Sequence, residues 1–341
     1  MSGAAMEVLA TPFKPAFVLS NWKYGETVLT NQANNGMDGL FAFGPNTVTR
    51  ALHGNDPDPV RFYAANGDIT GLRVGATVTG FVGKGPDGKD RAPDGYWYEM
   101  AKAVRLRAGT DILSVNVTAM NNHATDMSLV QAGRDIVYAN FAIAGPGNLD
   151  VIAGGQIRQE DAASIYSIGA VVPGDIRPGA SLSLQAGMTG ANWEAVRARY
   201  FGSTNLADPG LPLADPKNAG KVVKVYDKEL AAWLVERFGF TGAGEEALTY
   251  FDTLAPEQQR IFLRQVYYAE TREGGREYND TAGPRFGSYL RGRQMIAALF
   301  PDKDADGNTI TRRGDIVMYG GSGIRTNFGG DIQMMAPGGR S

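Results

Sequence analysis

An Ala-Gly pair returns along this chain at intervals of roughly 20 to 30 residues, each time after alternating apolar positions. Its copies stand at Ala108-Gly109, Ala132-Gly133, Ala153-Gly154 and Ala186-Gly187. The residue two positions before each Ala is aliphatic in all four copies: Leu106, Val130, Val151 and Leu184. Alternation with period two places neighbouring side chains on opposite faces of a β-strand. The chain therefore repeats a short strand that buries every second side chain.

Each strand is framed by a Gly-containing turn that often continues with Asp and Ile. The Asp-Ile pair occurs at Asp68-Ile69, Asp111-Ile112, Asp135-Ile136, Asp315-Ile316 and Asp331-Ile332. The chain holds 45 glycines, far above average usage. We expect Gly to supply positive φ angles before the strands, and Asp to tie the turn to its own backbone. The repeating unit is thus predicted to be turn, strand, turn.

Self-similarity at this period predicts a solenoid, and period two within the unit makes it a β-solenoid. Successive coils would lay parallel strands about 4.8 Å apart, with inward Leu, Val, Ile and Ala forming ladders through one core. The predicted fold class is mainly β: a parallel β-helix (β-solenoid) with an inserted α-helical subdomain. A β-sandwich with Gly turns is the alternative, but a sandwich has no reason to repeat Ala-Gly-x-Asp-Ile in register.

The apolar period changes to 3.6 over a long internal segment, which predicts a block of helices. Trp193, Trp233 and Phe262 lie on the apolar faces of these segments, and we expect all three to be mostly buried. The predicted domain organisation has three parts: 1–190, β-solenoid coils with an irregular N-terminal part; 191–301, the α-helical insertion; and 302–341, an acidic loop followed by resumed β-solenoid coils.

Composition excludes several classes of protein and of site. The 341 residues carry a net charge of −3, with both signs mixed, so nothing indicates the basic face that nucleic acid requires. No apolar run approaches the roughly 20 residues of a membrane-spanning helix. The absence of cysteine excludes disulfides, thiolate metal sites and a cysteine nucleophile. We therefore expect no nucleic-acid partner and no membrane-spanning segment.

Candidates for catalytic chemistry are few. The chain has two histidines, His53 and His123, and no Gly-x-Ser-x-Gly elbow that would place a serine nucleophile beside either. The segment "GKGPDGKD" lacks the Gly-Lys-Ser/Thr ending of a phosphate-binding loop and the helix that should follow it. These features predict polar turns and loops, and no catalytic residue is assigned.

One constellation fits a metal ion. The segment "DKDADGN" follows the first half of an EF-hand-type loop, in which alternate carboxylates converge on Ca²⁺. Its candidate ligands are Asp302, Asp304, Asp306 and Asn308, the last through its backbone carbonyl. Arg313 stands where the loop's bidentate Glu is expected, so we predict weak binding. The alternative is an acidic surface turn. No other cofactor is required, and Ca²⁺ is the candidate.

Two further motifs could contact a cell surface. Arg313-Gly314-Asp315 is an RGD tripeptide, but its Gly-Asp is already explained by the strand repeat. Tyr96, Trp97 and Tyr98 form an aromatic cluster that could stack on sugar rings. Burial of these aromatic side chains in the core is the more common outcome for such a cluster.

The chain resembles the C-terminal region of filamentous-haemagglutinin-type exoproteins. The resemblance is carried by "AGRDIVYANFAIAGPGNLDVIAGGQI", "SIGAVVPGDIRPGASLSLQAG", "FDTLAPEQQRIFLRQVYYAE" and "GSGIRTNFGGDIQMMAPGG", which occur in the same order in that family. It implies a right-handed β-helix in a very large bacterial surface protein, exported by the two-partner route through an outer-membrane β-barrel. The family acts in adhesion and biofilm formation, and some members carry a C-terminal toxin. No activity is carried over to particular residues.

These observations predict a non-enzymatic module of a secreted bacterial cell-surface exoprotein, acting in adhesion or cell-cell contact. Its expected partners are an outer-membrane two-partner-secretion transporter and a receptor or glycan on a host or neighbouring cell. Its expected location is the outer-membrane-associated cell surface. One alternative is a β-helical polysaccharide lyase or hydrolase, which would need carboxylates or basic groups converging in a groove. The other is a shaft module that delivers a downstream toxin.

Overall fold

The structure is a computed structural model that describes residues 6–7, 56–74, 102–160, 163–169 and 176–338. The chain divides into two compact units. One comprises Met1–Thr189 and Arg312–Ser341, and the other comprises Gly190–Thr311. All described strands lie in the first unit and all described α-helices in the second. The acidic loop, which the sequence analysis grouped with the resumed strands, lies in the helical unit.

The strand unit is built from short strands in three sheets, and every pairing between them is parallel. The strands are β1 (Met6–Glu7), β2 (Val60–Ala64), β3 (Ile69–Thr70), β4 (Arg73–Val74), β5 (Val104–Ala108), β6 (Ile112–Leu113), β7 (Asn116–Met120), β8 (Met127–Ala132), β9 (Ile136–Val137), β10 (Asn140–Ala144), β11 (Asn148–Ala153), β12 (Ile157–Gln159), β13 (Ser164–Gly169), β14 (Ser181–Gln185), β15 (Ile316–Met318), β16 (Gly323–Thr326) and β17 (Ile332–Met335).

The strand order within the sheets follows one rule. Sheet 1 runs β1-β3-β6-β9-β12-β15, sheet 2 runs β2-β5-β8-β11-β14-β17, and sheet 3 runs β4-β7-β10-β13-β16. From β2 onward, each group of three consecutive strands enters sheets 2, 1 and 3 in turn, and we call such a group a repeat. Repeats 1 to 5 begin at β2, β5, β8, β11 and β14, and the helical unit interrupts repeat 5 between β14 and β15.

This topology is compatible with a parallel β-helix. Strands and helices occupy comparable shares of the described residues, however, so "mainly β" does not describe the whole chain.

The predicted internal ladder is confirmed. Leu106 pairs with Val130, Val130 with Val151, and Val151 with Leu184, and all four side chains are completely buried. A second ladder runs through sheet 1, where one Ile from each repeat stacks on the next; each follows an Asp except Ile157, which follows Gln156. Burial of each such side chain contributes about 1.5 to 3 kcal/mol. The alternating apolar pattern therefore forms one continuous core.

Glycine recurs after Ala because neighbouring repeats stack too closely there to admit a side chain. A Cβ on Gly133 would overlap the carbonyl oxygen of Gly109, and a Cβ on Gly154 would overlap that of Gly133. None of these three residues has a positive φ. The prediction of positive φ is confirmed at Gly330, whose φ is 90°, but is wrong at these three positions, where close stacking of one repeat on the next excludes a side chain.

The aspartates of the Asp-Ile pairs join neighbouring repeats. Asp68 Oδ1 accepts a hydrogen bond from the backbone N–H of Asp111 at 2.9 Å, and Asp111 Oδ1 accepts one from the N–H of Asp135 at 3.0 Å. Asp135 Oδ1 accepts in turn from the N–H of Gln156 at 2.8 Å. The expectation that Asp ties the turn to its own backbone is corrected, because these carboxylates bond to the following repeat.

The helical unit has five described α-helices: α1 (Trp193–Tyr200), α2 (Asp227–Phe238), α3 (Glu245–Thr253), α4 (Pro256–Asn279) and α5 (Leu290–Leu299). Its core is aromatic, with Trp233 against Phe251 and Phe262 at ring-centroid distances of 6.2 and 5.4 Å. Trp233 and Phe262 are buried as predicted, whereas Trp193 is only partly buried. None of the described helices has the length and apolarity needed to cross a bilayer.

Candidate functional site

The predicted calcium loop is a tight hairpin closed by Asp304. Its Oδ1 accepts hydrogen bonds from the backbone N–H groups of Asp306 at 3.0 Å and Asn308 at 2.8 Å. Its Oδ2 accepts from the side-chain amide of Asn308 at 3.1 Å. Gly307 has a φ of 85°, which allows the sharp turn. The Asn308 hydrogen bonds lower the pKa of the Asp304 carboxyl.

This geometry uses the Asp304 carboxylate to hold the turn. Asp302 and Asp306 are exposed on the same loop. In the part of the chain that the structure describes, no group of three or more His, Asp or Glu side chains is arranged to hold a metal ion. The residues would have to rearrange to bind Ca²⁺, so the calcium site stays a prediction.

The other motifs from the sequence fall in structural positions or outside the described residues. Gly314 of the RGD tripeptide is packed so closely that a Cβ would overlap the carbonyl oxygen of Gly155 and the backbone nitrogen of Gly187. This packing holds the tripeptide against the preceding repeat. His123 lies in the turn between β7 and β8, where its backbone N–H donates to Asp126 Oδ2 at 2.9 Å. The remaining residues, His53, Tyr96, Trp97 and Tyr98, lie outside the described residues.

A different cluster lies where sheet 1 ends in repeats 3, 4 and 5. It consists of Tyr138, Arg158, Glu160 and Tyr319, and we call it the tyrosine surface. The backbone N–H of Tyr138 donates to the carbonyl of Arg158 at 3.1 Å, and that of Tyr319 donates to the carbonyl of Gln159 at 3.2 Å. The two tyrosine backbones are therefore two strand spacings apart, about 10 Å.

The backbone at Tyr138 is unusual. Its φ is 54°, in the left-handed region, and the corresponding positions of repeats 1 and 2 hold Gly71 with φ 67° and Ser114 with φ 51°. A large side chain rarely adopts this conformation, which costs on the order of 1 to 3 kcal/mol. Strain of this kind often marks functional sites, and here it holds an aromatic ring at the surface.

The side chains of the tyrosine surface form one chain of polar contacts. Tyr138 Oη donates to Glu160 Oε2 at 2.7 Å, and Glu160 Oε1 forms an ion pair with Arg158 Nε. Arg158 Nη2 donates to Tyr319 Oη at 2.8 Å, and its guanidinium lies 5.9 Å from the centre of the Tyr319 ring. Both tyrosine hydroxyls are thereby anchored to the same Arg-Glu pair.

The two tyrosine side chains are exposed, whereas the carboxylate that anchors Tyr138 is buried. Tyr138 is 40% exposed and Tyr319 is 44% exposed, whereas Glu160 is buried. Both Glu160 oxygens are committed to Tyr138 and Arg158, so Glu160 is not available as a general acid or base. The arrangement is suited to binding through aromatic faces and hydroxyl groups.

The sequence contains a signal for this surface, although neither tyrosine was predicted as a site residue. Tyr138 follows "DIV" and Tyr319 follows "DIVM", so both come directly after the strand of sheet 1. Strand pairing matches Val137 with Arg158 and Gln159 with Met318, so Tyr319 stands one residue further along its repeat than Tyr138. Their proximity depends on the return of the chain to sheet 1 after the helical unit, which no local pattern indicates.

The helical unit contains a buried ionic network that is structural. Arg291 forms two hydrogen bonds with Glu270, at 2.9 and 2.6 Å, and one with Glu277 at 2.9 Å. Tyr226 Oη donates to Glu270 Oε1 at 2.6 Å, and burial together with this bond raises the pKa of Tyr226. Burial opposes ionisation of Glu277, but hydrogen bonds from Arg285 and Arg291 outweigh it and lower its pKa. Each carboxylate is thus paired within the unit, which links α4 to α5.

An open cavity of about 420 Å³ lies in the same unit. Alanines from α1 and α5 and the side chain of Arg199 line it. Asn192 and Asn205 also line it, but their side chains bond to the backbone: Asn192 Oδ1 accepts from Ala195 N–H, and Asn205 Nδ2 donates to the carbonyls of Ala198 and Phe201. The tyrosine surface is therefore the candidate functional site.

Comparison of the chain with protein-family models, with curated proteins and with solved structures finds no match.

Proposed function

We propose that this chain is a non-enzymatic module of a secreted bacterial cell-surface exoprotein of the filamentous-haemagglutinin type, acting in adhesion or cell-cell contact. In this proposal the strand unit is a stretch of right-handed parallel β-helix. The strand order supports it, because successive strands enter sheets 2, 1 and 3 in turn with parallel pairing throughout. Connections between parallel strands are right-handed in nearly all proteins, which supports the handedness.

The observation that carries the proposal is the pair of exposed, anchored tyrosines on a stacked β-face. Aromatic rings with a polar group are common in binding surfaces, because they bury a large area at a small cost in conformational entropy. Tyr138 and Tyr319 are held by hydrogen bonds and directly follow strands whose inner side chains, Ile136 and Ile316, are buried. A rigid surface of this kind suits contact with a receptor or glycan on another cell.

The proposed route and location follow the same resemblance. The chain would leave the cell through an outer-membrane two-partner-secretion transporter and remain at the cell surface. It contains no cysteine. An unfolded chain without cysteine cannot form premature disulfides that would obstruct export.

A bead assay tests the proposed function. Beads coated with the full chain should adhere to bacterial or epithelial cells, and beads coated with the Tyr138→Ala, Tyr319→Ala double variant should adhere several-fold less. Tyr278→Ala is the matched control, because Tyr278 is 47% exposed but lies in α4. The control should adhere like the unmodified chain.

Two results would overturn the proposal. One is a double variant that adheres as well as the control while the unmodified chain adheres strongly. The other is enzymatic cleavage: release of new reducing ends from polygalacturonate or a related glycan would favour a carbohydrate-active enzyme instead.

A further inference from the structure

We infer that the tyrosine surface binds an uncharged, extended β-linked glycan, which lies across both tyrosine rings in the direction in which the repeats stack. This inference rests on the proposed function, because it names the ligand class of the same surface.

The spacing of the two rings sets the shape of the ligand. Tyr138 and Tyr319 directly follow the sheet 1 strands of repeats 3 and 5, one residue apart in register, with repeat 4 between them. Their backbones are about 10 Å apart along the stacking direction. At this backbone spacing an extended chain of pyranose rings can contact both tyrosines with several sugar units. β-1,4-linked glucose units form such a chain, and their C–H faces are suited to stacking on aromatic rings.

The anchoring of the rings favours binding. Both hydroxyls are held by the Arg158–Glu160 pair, through Glu160 Oε2 for Tyr138 and through Arg158 Nη2 for Tyr319. Ring orientations that are fixed before binding reduce the entropy that a ligand must offset. The Tyr319 oxygen accepts one hydrogen bond from Arg158, and its second lone pair can accept a hydrogen bond from a sugar hydroxyl.

The charge of the surface favours an uncharged ligand. Arg158 and Glu160 neutralise each other in an ion pair. Recognition of a carboxylate by arginine normally uses two parallel N–H donors. In Arg158, Nε is committed to Glu160 and Nη2 to Tyr319, so the Nε–Nη2 edge of the guanidinium is occupied. The part of the guanidinium left for a ligand, Nη1, can donate single hydrogen bonds to hydroxyl groups.

The same line of positions continues into repeat 2. Ser114 stands where Tyr138 stands in repeat 3, and its backbone N–H donates to the carbonyl of Val137 at 3.0 Å. Ser114 is exposed and has a φ of 51°. Its backbone lies one strand spacing, about 4.8 Å, beyond that of Tyr138, so a polar residue continues the surface into repeat 2. We therefore expect affinity to rise with the length of the glycan.

The test is titration calorimetry of the full chain with cellohexaose, cellobiose, glucose and a galacturonate hexamer. Cellohexaose should bind at least about tenfold more tightly than glucose, because it spans both rings. Its affinity should not change between low and high salt, because no net charge is involved. The galacturonate hexamer should bind at least about tenfold more weakly than cellohexaose.

Variants of the two tyrosines test whether cellohexaose binds at the tyrosine surface. Tyr138→Ala and Tyr319→Ala should each lower the affinity for cellohexaose about tenfold, and Tyr278→Ala should leave it unchanged. Tyr138→Gly should lower the affinity equally while relieving the left-handed strain, so its loss of binding is separate from any loss of folding. Tyr138→Phe keeps the ring and should retain most of the affinity.

The outcomes separate this inference from the proposed function. Cellohexaose binding that needs both tyrosines supports the inference. Tighter, salt-sensitive binding of the galacturonate hexamer overturns it, and so does equal affinity for glucose and cellohexaose. If neither hexamer binds while the coated beads still adhere through Tyr138 and Tyr319, the ligand class is wrong and the adhesive function stands. If the beads also fail to adhere, both are wrong.

Discussion

At the turn before β6, the carboxylate of Asp111 joins two repeats with one side chain. It accepts the N–H of Asp135 and pairs with the guanidinium of Arg134, whose Nε lies 2.8 Å from Asp111 Oδ1. The hydrogen bond from Arg134 lowers the pKa of the Asp111 carboxyl, although burial opposes this. Because the folded-state pKa is depressed, the stabilisation is present above the unfolded-state value near 4. It is lost as pH falls through the folded-state pKa.

Replacement of Asp111 by Asn should reveal this dependence. The variant keeps an oxygen that can accept the Asp135 N–H but loses the ion pair, so we expect a stability loss of about 1 kcal/mol at pH 7. Urea unfolding from about pH 7 down to about pH 2 should show the difference from the unmodified chain shrinking as Asp111 becomes protonated. Arg134→Gln removes the other partner of the ion pair, and its stability difference from the unmodified chain should shrink in the same way as pH falls. A difference that stays constant with pH would contradict the assignment.

Gly133 gives a sharper test of the stacking, because its neighbour is backbone. A Cβ there would overlap the Gly109 carbonyl oxygen, which cannot move without disturbing the ladder. We expect Gly133→Ala to destabilise the strand unit by about 1 to 3 kcal/mol, measured by chemical unfolding. Gly71→Ala is the contrasting variant: a Cβ meets nothing within 4 Å there, and its φ of 67° is the only obstacle. Equal stability of Gly133→Ala and the unmodified chain would show that the repeats are not stacked this closely.

At the scale of single elements, α4 contains two adjacent glycines with opposite surroundings. A Cβ on Gly274 would lie 2.8 Å from the backbone nitrogen of Gly292 in α5, whereas a Cβ on Gly275 would meet nothing within 4 Å. Alanine stabilises a helix interior relative to glycine by about 0.5 to 1 kcal/mol. We expect Gly275→Ala to stabilise the helical unit by this amount and Gly274→Ala to destabilise it by about 1 to 3 kcal/mol.

Thermal unfolding followed by the helical circular dichroism signal measures both variants. Each variant serves as the other's control, because the substitution and the helix are the same. A change in stability of the same sign in both variants would mean that α4 and α5 are not in close contact at Gly274.

At the scale of elements, the sequence correctly predicted the features that follow from the local Ala-Gly repeat. Leu106 and Val151 were placed in one ladder because the Ala-Gly register aligns repeats without any knowledge of the turns. The role of Gly133 was assigned wrongly because its neighbour, the Gly109 carbonyl, belongs to a different repeat. Tyr138 and Tyr319 were missed for a related reason: the whole helical unit separates them in sequence, and only pairing of β15 with β12 brings their repeats together.

At the scale of the whole molecule, the helical unit replaces a very short connection. In repeat 4, Gly154, Gly155 and Gln156 join sheet 2 to sheet 1. In repeat 5 the corresponding glycines are Gly187 and Gly314, which stand on either side of the helical unit in sequence. They are close in space: a Cβ on Gly187 would lie 3.6 Å from the backbone nitrogen of Gly314. The strand unit is therefore continuous across the site of insertion.

Excision of residues 188–313, with Gly187 joined directly to Gly314, should leave a folded strand unit. The junction reads Ala-Gly-Gly-Asp-Ile and reproduces the Ala-Gly-Gly-Gln-Ile of repeat 4, so it needs no designed linker. We expect the shortened chain to keep a β-type circular dichroism spectrum, to unfold cooperatively, and to bind cellohexaose with the affinity of the full chain, because Tyr138, Arg158 and Tyr319 are all retained. Replacing the junction glycine Gly314 by Val in the shortened chain is the control, and should prevent folding, because its side chain would overlap the Gly155 carbonyl. If the shortened chain aggregates as the control does, the strand unit depends on the helical unit for its stability, and the insertion is part of the fold and not an addition to it.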